Sequence, residues 1–382
     1  MAFGIYIHIP FCKQACTYCN FYFSTSLHRK PALLEALAQE IALVAAPVSV
    51  SAVGGQPKVQ TLYLGGGTPS LLTTEELHRL LDQLEQRFDF SALQEFTIEA
   101  NPDDLDAAYV SALRSLRARG LNRFSVGVQS FFDEDLAYMR RAHSGTEARD
   151  ALKRLQDAGF EKITIDLIYG TPTMNDQRWL KNLEIFLDYQ LPHLSAYALT
   201  VEPKTTLAKR IREGDLPRVD DEQAGRQFRL LQQVLREAGY DQYEISNFAR
   251  PGHYAVHNTN YWRGVPYIGL GPSAHAYNGH QRSWNVRNNN NYIAALREGR
   301  RSFEFEILTA ANRANERIMT ALRTMWGLWL GDADVVAYRK NILDALKAVP
   351  ASYYIMKDET ILLTDEGKFF ADGIAASLFI TD

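Results

Sequence analysis

The sequence predicts an α/β protein whose first half is a parallel sheet covered by helices. Three observations support this. Short apolar segments alternate with helical segments six times in about the first 200 residues, the apolar segments are too hydrophobic to face water, and polar residues gather near their ends. Such a sheet is either open or a complete or incomplete barrel. Both arrangements bind ligands at the carboxyl ends of the strands.

Six apolar segments are the predicted strands of this sheet. They are rich in β-branched, leucine and aromatic residues, which pack well on a pleated surface. In chain order, these strands are expected at residues 4–9, 59–64, 95–100, 123–128, 162–168 and 193–199.

Helical segments follow the strands. Pro31 suits the first turn of a helix, and Thr73 three positions before Glu76 is a helix-capping signature. The predicted helices cover residues 31–46, 73–88, 103–119, 133–139, 146–158 and 176–190.

The pattern changes after residue 200. A polar stretch at 202–215 precedes a long helix at 220–238 and a strand at 242–248. Residues 250–291 are rich in Gly, Asn, His and aromatic residues, which predicts a loop-rich segment of the kind that often carries function.

The last 80 or so residues have the outline of a small winged-helix-like module. Its elements are expected as helices at 312–323 and 333–347, strands at 353–357 and 360–363, and a helix at 364–378. We therefore divide the chain into a partial barrel at residues 1–215, a barrel extension at 216–300 and a C-terminal domain at 301–382.

The composition indicates a protein of the cytoplasm. The net charge of −4 argues against a broad basic surface for nucleic acid. No apolar run approaches the roughly 18 residues that cross a bilayer, and the first residues lack the pattern of a secretory signal. Cysteine is otherwise avoided, as in a reducing compartment.

All three cysteines lie within eight consecutive positions. Cys12, Cys16 and Cys19 have the spacing C-x3-C-x2-C, and their odd number excludes a disulfide framework. Three thiolates can hold three irons of a 4Fe–4S cluster, which leaves the fourth iron open to a small molecule with an amine and a carboxylate. A Cys3His zinc site with His8 or His28 is the alternative, although zinc sites usually pair two C-x2-C knuckles.

A glycine-rich turn follows the second predicted strand. Gly65, Gly66 and Gly67 precede Thr68 and Pro69, and consecutive glycines allow close approach of a ligand to the backbone. The segment matches neither a P-loop nor a dinucleotide-binding fingerprint. A simple tight turn between strand and helix is the alternative.

Polar residues interrupt or follow three of the apolar strands. They are Glu99, Gln129 and Asp166. Unpaired burial of such groups costs several kcal/mol. Each could form a structural ion pair or a helix cap, but three at the same end of successive strands favour a shared ligand.

The cysteine spacing, with Tyr18 before the last cysteine, and the segment from Gly65 to Pro69 together resemble the radical S-adenosylmethionine (SAM) superfamily. The resemblance implies an incomplete TIM-type (β/α)6 barrel with the cluster at its mouth. It also implies SAM contacts at Tyr6, Gly66, Gly67, Thr68, Glu99, Gln129, Arg141 and Asp166.

The whole chain resembles one branch of this superfamily, the oxygen-independent coproporphyrinogen III oxidases and the related heme chaperones. The oxidases have a further cysteine two places after the third, where this chain has Phe21, and an extension before the cluster strand. The segment from His257 to Trp262 matches the H-N-x-x-Y-W motif of the chaperones. The C-terminal domain is expected to be of the oxidase type.

The resemblance therefore implies a chaperone that binds heme and a SAM-ligated 4Fe–4S cluster. Its expected partner is a heme acceptor such as a respiratory membrane cytochrome, reached by transient membrane contact, and association of two copies is also expected. His257 is the candidate heme ligand, and the alternatives are His253, His275 and His280. The expected apolar contacts to heme are Tyr254, Tyr261, Trp262, Tyr267 and Trp284.

The alternative function is a radical enzyme of porphyrin biosynthesis. In that case the cluster would deliver an electron to SAM and the resulting radical would act on coproporphyrinogen. Phe21 counts against this oxidase activity because it replaces the additional cysteine.

Overall fold

A computed structural model describes residues 3–44 and 57–381. Its strands are β1 Phe3–Ile9, β2 Val59–Gly66, β3 Glu95–Ala100, β4 Leu121–Gln129, β5 Lys162–Tyr169, β6 His193–Ala198, β7 Asp241–Glu244, β8 Asn247–Ala249, β9 Tyr267–Leu270, β10 His275–Tyr277, β11 Gln281–Asn285, β12 Phe303–Ile307, β13 Leu328–Trp329, β14 Tyr354–Lys357 and β15 Thr360–Leu363.

The helices lie mainly between the strands of the first half and in the C-terminal module. They are α1 Lys30–Leu43, α2 Thr74–Arg87, α3 Ala107–Leu113, α4 Asp133–Met139, α5 Gly145–Asp157, α6 Asp176–Asp188, α7 Thr206–Arg212, α8 Asp221–Glu237, α9 Val256–Trp262, α10 Asn289–Arg297, α11 Ala310–Leu322, α12 Arg339–Leu346, α13 Asp365–Phe369 and α14 Ala371–Ser377. In the part of the chain that the structure describes, no helix combines the length and the apolar character needed to span a bilayer.

The six predicted strands are confirmed as a parallel sheet. Strands β1 to β6 are neighbours in chain order and every adjacent pair is parallel. Because the order never reverses, right-handed crossovers place the helices on one face, and the sheet curls around the other face. This order is that of a barrel rather than of a doubly wound sheet.

The large sheet continues beyond this core on both sides. Strand β9 adds to β1 in parallel, followed by β10, β11 and β12, while β8 and β7 add beyond β6. The two ends of the sheet, β12 and β7, are not hydrogen-bonded to each other in the described strand order, so the barrel is incomplete.

Several predicted boundaries are wrong. Predicted helix 103–119 forms regular helix only over Ala107–Leu113, because Asp106 accepts the backbone N–H of Tyr109 and caps the helix there. Predicted strand 242–248 is a hairpin of β7 and β8, since the Glu244 carboxylate accepts the backbone N–H of Ser246 and turns the chain.

Other differences concern helices. Predicted helix 31–46 ends at Leu43, and residues 45 and 46 lie outside the described part. The polar stretch 202–215 contains α7, predicted helix 333–347 becomes regular only at Arg339, and predicted helix 364–378 is two helices separated at Phe370.

The largest difference lies in residues 250–291, which were expected to be rich in loops. This segment contains α9, three strands of the large sheet and the start of α10. The H-N-x-x-Y-W motif is therefore a helix. The expectation failed because the contacts that order this segment come from distant strands.

The C-terminal module has its own core, formed by α11, α12, α14 and the three-stranded sheet β13–β15–β14. It is joined to the barrel through Arg323, whose side chain contacts the buried Glu244 carboxylate at 3.0 Å. The backbone carbonyl of Arg323 also accepts the N–H of Ile245.

Candidate functional site

The three cysteines lie on a loop that leaves the carboxyl end of β1. The base of this loop is closed by two backbone hydrogen bonds, from Cys12 N–H to the Ser24 carbonyl at 3.1 Å and from Ser24 N–H to the Pro10 carbonyl at 2.8 Å. The Thr17 N–H donates to the Met139 carbonyl at 3.1 Å. The loop is thus held on two sides, and all three thiols are free.

Two of the predicted glycines pack against this loop. A Cβ at Gly66 would lie 2.3 Å from Nδ1 of His8, and one at Gly67 would lie 2.6 Å from the Phe11 carbonyl oxygen. Gly66 also has a φ of +103°, which side chains rarely adopt. The glycines are required because the end of β2 lies against the His8 side chain at Gly66 and against the backbone at the start of the cysteine loop at Gly67.

Glu99 is held at the edge of this turn. Its carboxylate accepts a hydrogen bond from the Tyr63 hydroxyl at 2.7 Å and one from the Gly66 N–H at 3.0 Å. Burial raises the pKa of Glu99, while these two hydrogen bonds oppose the rise. The turn and the carboxylate therefore form one unit.

Asp166 lies on β5, close enough to Glu99 for the charge of that carboxylate to affect its pKa. Burial is the main cause that raises the pKa of Asp166 to about 7, and the charge of Glu99 adds to it. The Ser125 hydroxyl donates to its carboxylate at 3.4 Å, and hydrogen bonds from Ser195 and Ser125 oppose the rise in its pKa. A buried carboxyl group whose ionisation is disfavoured by burial and by a second carboxylate is suited to a cationic or hydrogen-bond-donating ligand.

Arg141 connects the cysteine loop to the strand ends. Its guanidinium lies 3.4 Å from the Cys16 sulfur and donates to Asn101 Oδ1 at 2.6 Å and to the Gly127 carbonyl at 2.9 Å. Its buried Nε has no hydrogen-bond partner among the described residues. A positive charge at the sulfur stabilises a thiolate.

Gln129 and Thr68 are two further predicted SAM contacts. Gln129 is buried at the end of β4 with a φ of +64°, at an irregularity in its pairing with β5. Such strain is common at functional sites. Thr68 is buried and accepts a hydrogen bond from Asn101 at 3.2 Å.

The donor set fits a 4Fe–4S cluster better than a zinc ion. Both ring nitrogens of His8 are engaged, Nδ1 with the Tyr6 hydroxyl at 3.1 Å and Nε2 with the Tyr22 carbonyl at 2.9 Å, and His28 is exposed on a separate turn. Among residues 3–44 and 57–381, no three His, Cys, Asp or Glu side chains converge to hold one ion. Cubane thiolates bind three different irons and need not converge on one.

His257 lies on α9 and points into the barrel. Its Nδ1 lies 2.9 Å from the Thr61 hydroxyl, and its ring lies 5.0 Å from that of Tyr63. Burial lowers the pKa of His257 to about 4. The imidazole is therefore neutral at physiological pH, as a metal ligand must be.

A cavity of about 860 Å³ joins the predicted SAM and heme regions. Its wall includes Tyr6, Gly66 and Glu99 from the predicted SAM contacts, together with the candidate heme ligand His257. Such a volume suits a large organic ligand. The cysteine loop contributes the next part of the wall, through Asn20, Phe21 and Tyr22.

The structure separates the candidate heme contacts into two groups. Of the four candidate imidazoles, His257 and His275 line the cavity. His253 and His280 are not among the described residues that line it. Of the aromatic residues, Tyr261, Tyr267 and Trp284 line it.

Tyr254 and Trp262 instead contact the C-terminal module. The Tyr254 ring lies 6.2 Å from that of Trp326, and Arg323 stacks on Trp262 at 5.3 Å. Neither residue is among the described residues that line the cavity, and their contact with heme stays a prediction.

Sequence reasoning missed the pair that holds α9. Glu95 and Arg123 are buried ion partners at 2.9 Å, and the Glu95 carboxylate accepts the first backbone N–H groups of this helix. Two charged residues inside otherwise apolar strands were the signal available in the sequence.

The chain is similar to known proteins over most of its length. The pattern of the Radical SAM superfamily matches residues 6–186. The chain is 35% identical to the heme chaperone HemW of Mycobacterium tuberculosis, over 98% of this chain and 94% of the relative. It is 37% identical to HemW of Bacillus subtilis over 77% of this chain and 76% of the relative.

A solved structure resembles the fold over almost the whole chain. It is the coproporphyrinogen III oxidase HemN of Escherichia coli, with a TM-score of 0.81, 24% identity and coverage of 99% of this chain and 90% of that one. At this identity the match establishes the fold alone.

Proposed function

The chain belongs to the radical SAM superfamily and, within it, to the family of heme chaperones called HemW, and from this premise we propose that it binds heme and delivers it to an acceptor protein. The observation that carries the proposal is the cavity of about 860 Å³ beside the cysteine loop. Three imidazoles, those of His8, His257 and His275, and six aromatic side chains line it, and it has enough space for an extended planar ligand.

We assign the resident cofactors to the mouth of the barrel. Cys12, Cys16 and Cys19 would hold a 4Fe–4S cluster, which together with SAM supplies one-electron chemistry when bound. The proposed SAM contacts surround the turn at Gly66 and Gly67. Glu99 holds this turn through the Gly66 N–H, and Arg141 places its charge beside Cys16.

Phe21 supports cargo binding over oxidase chemistry. It stands where the related oxidases have their additional cysteine, its side chain is 69% exposed, and it lines the cavity. An exposed aromatic ring at a cavity wall supplies apolar contact area to a flat macrocycle.

His257 is the proposed axial ligand of heme iron. Its Nδ1 is engaged by Thr61, which leaves Nε2 as the nitrogen available to a metal. Two other imidazoles line the cavity, but both ring nitrogens of His8 are engaged, so His275 is the alternative ligand.

The acceptor and the assembly state are proposals that rest on the resemblance. We propose a respiratory membrane cytochrome as acceptor, reached from the cytoplasm by transient contact, and association of two copies. The division at residues 1–215, 216–300 and 301–382 is likewise proposed, with β12 lying in the large sheet at the start of the third segment.

The experiment that tests this function compares delivery with catalysis. The anaerobically reconstituted chain is loaded with hemin and mixed with a heme-free cytochrome, and heme transfer is followed by absorbance. In parallel, the chain is incubated with dithionite, SAM and coproporphyrinogen. Transfer without 5′-deoxyadenosine and vinyl products supports the proposal, whereas those products without transfer support the radical enzyme.

A further inference from the structure

One wall of the cavity carries residues that are not among the proposed SAM contacts or cluster ligands. This wall, formed by β11 and the residues after it, presents Arg282, Trp284 and Arg287 to the cavity. On a strand, residues 282 and 284 share a face. The wall therefore combines a flat aromatic surface with two positive charges.

The two arginines differ in their partners. Arg282 forms an ion pair with Glu316 at 2.9 Å and lies opposite Glu306 in the strand register. Arg287 donates to the Asn20 carbonyl at 2.7 Å, and no carboxylate within the described ranges forms an ion pair with it. Arg287 is thus the cavity cation whose charge is not already neutralised by a carboxylate.

The other charges of the cavity favour one orientation for an anionic ligand. Glu99, on β3, and Glu306, on the edge strand β12, both line the cavity. A ligand carboxylate would be repelled at either position. It would be attracted at Arg287, where a planar guanidinium can bind it through two parallel hydrogen bonds.

We propose that Arg287 binds a propionate carboxylate of the tetrapyrrole cargo and thereby sets its orientation in the cavity. This inference rests on the proposed function, because it requires heme in the cavity. Trp284 lies on the same wall and lines the cavity. Its ring lies 6.0 Å from that of His275, so an imidazole is also within this region.

The position of Arg287 also connects the cargo to the cluster loop. The Asn20 carbonyl that it contacts follows Cys19 directly, and the next two residues line the cavity. A second hydrogen bond joins the same wall to the cysteine loop, because the Tyr22 hydroxyl accepts the backbone N–H of Asn289 at 2.7 Å. One guanidinium therefore contacts the loop and, in our proposal, the propionate.

The test compares hemin with hemin dimethyl ester, which has the same ring and iron but no carboxylate. Both are titrated into the cluster-loaded full chain, the variants Arg287→Gln and Arg287→Lys, and the control Arg300→Gln. Arg300 is an exposed arginine paired with Glu298 outside the cavity lining. Iron content and thermal unfolding are measured for each protein.

We expect the unaltered chain and Arg300→Gln to bind hemin about tenfold more tightly than the ester, or more. Arg287→Gln should lose this preference by weakening hemin binding alone, and Arg287→Lys should restore part of it. An undiminished preference for hemin in Arg287→Gln, or equal loss for both ligands, would overturn the inference. Absence of hemin binding by the unaltered chain would instead overturn the proposed function on which it rests.

Discussion

The side chain of Glu95 accepts a hydrogen bond of 2.9 Å from the backbone N–H of His257, a residue 162 positions later in the sequence. The same carboxylate accepts the N–H of Val256 at 2.8 Å and pairs with Arg123. These contacts satisfy the free N–H groups at the start of α9. A buried ion pair inside the barrel thus fixes the helix that carries the proposed heme ligand.

Substituting Glu95→Gln should destabilise the protein and weaken hemin binding. Loss of the negative charge leaves the buried Arg123 without its counterion, at a cost of about 3–5 kcal/mol in the free energy of unfolding. Denaturant unfolding and hemin titration measure the two effects. Glu35→Gln, on the exposed face of α1, is the matched control. If Glu95→Gln and Glu35→Gln have the same free energy of unfolding, Glu95 does not stabilise α9.

Substituting Gly66→Ala should cost more stability than the same change at a glycine with similar backbone geometry. Gly66 has a φ of +103° and Gly279 a φ of +97°. An alanine at either position would be destabilised by roughly 1–2 kcal/mol, because residues with a Cβ disfavour a positive φ. Only Gly66 meets an obstacle, the ring of His8, whereas a Cβ at Gly279 meets nothing within 4 Å. We expect a further loss of about 1–3 kcal/mol at Gly66. Equal melting temperatures for the two variants would contradict this packing.

Asp166 predicts a particular pH dependence of stability. Its folded pKa of about 7 lies above the unfolded value of about 3.9, so between these values the folded state retains a proton that the unfolded state has released. The free energy of unfolding therefore falls as the pH rises from about 3.9 to about 7. Above about pH 7, the full destabilisation from the ionised Asp166 is present.

The variant Asp166→Asn should remove that penalty. We expect the free energy of unfolding to rise by roughly 1–3 kcal/mol at about pH 8 and to change little near about pH 4. Chemical denaturation across this range measures the slope. Asp157→Asn, at an exposed ion pair with Lys153, should leave the slope unaltered. If the free energy of unfolding of Asp166→Asn has the same pH dependence as that of the unaltered chain, Asp166 is not the source of that dependence.

Replacing any one of Cys12, Cys16 or Cys19 by serine should abolish retention of the cluster. The chain has three cysteines in total, so no other thiol can substitute. Iron and sulfide analysis after anaerobic reconstitution gives the result, with Thr25→Ala as a control on an exposed residue after the loop. Retention of full cluster absorbance in a single serine variant would refute the three-thiolate assignment.

Local features of the site could be predicted from the sequence. The cysteine spacing and the glycine run are contiguous, and the strands that carry Glu99 and Asp166 have clear apolar patterns. Their placement at one end of a parallel sheet follows from topology, because parallel strands end at the same edge.

The helix α9 could not be predicted in this way. Its sequence, Val-His-Asn-Thr-Asn-Tyr-Trp, consists of residues with weak helical propensity, and its first N–H groups are satisfied by Glu95 from a strand far away in sequence. Strand β9 could not be predicted either, since its short sequence Tyr-Ile-Gly-Leu forms a strand by pairing with β1. Long-range contacts, rather than local preference, order this part.

The most direct test of the account is a single stoichiometric measurement on the full chain. The protein is purified and reconstituted without oxygen, supplied with SAM and hemin, separated from unbound ligand, and analysed for iron, sulfide, SAM and heme. The account predicts that each chain retains one 4Fe–4S cluster and one SAM, and binds heme through the cavity. A preparation that retains the cluster and SAM but releases all heme would contradict it.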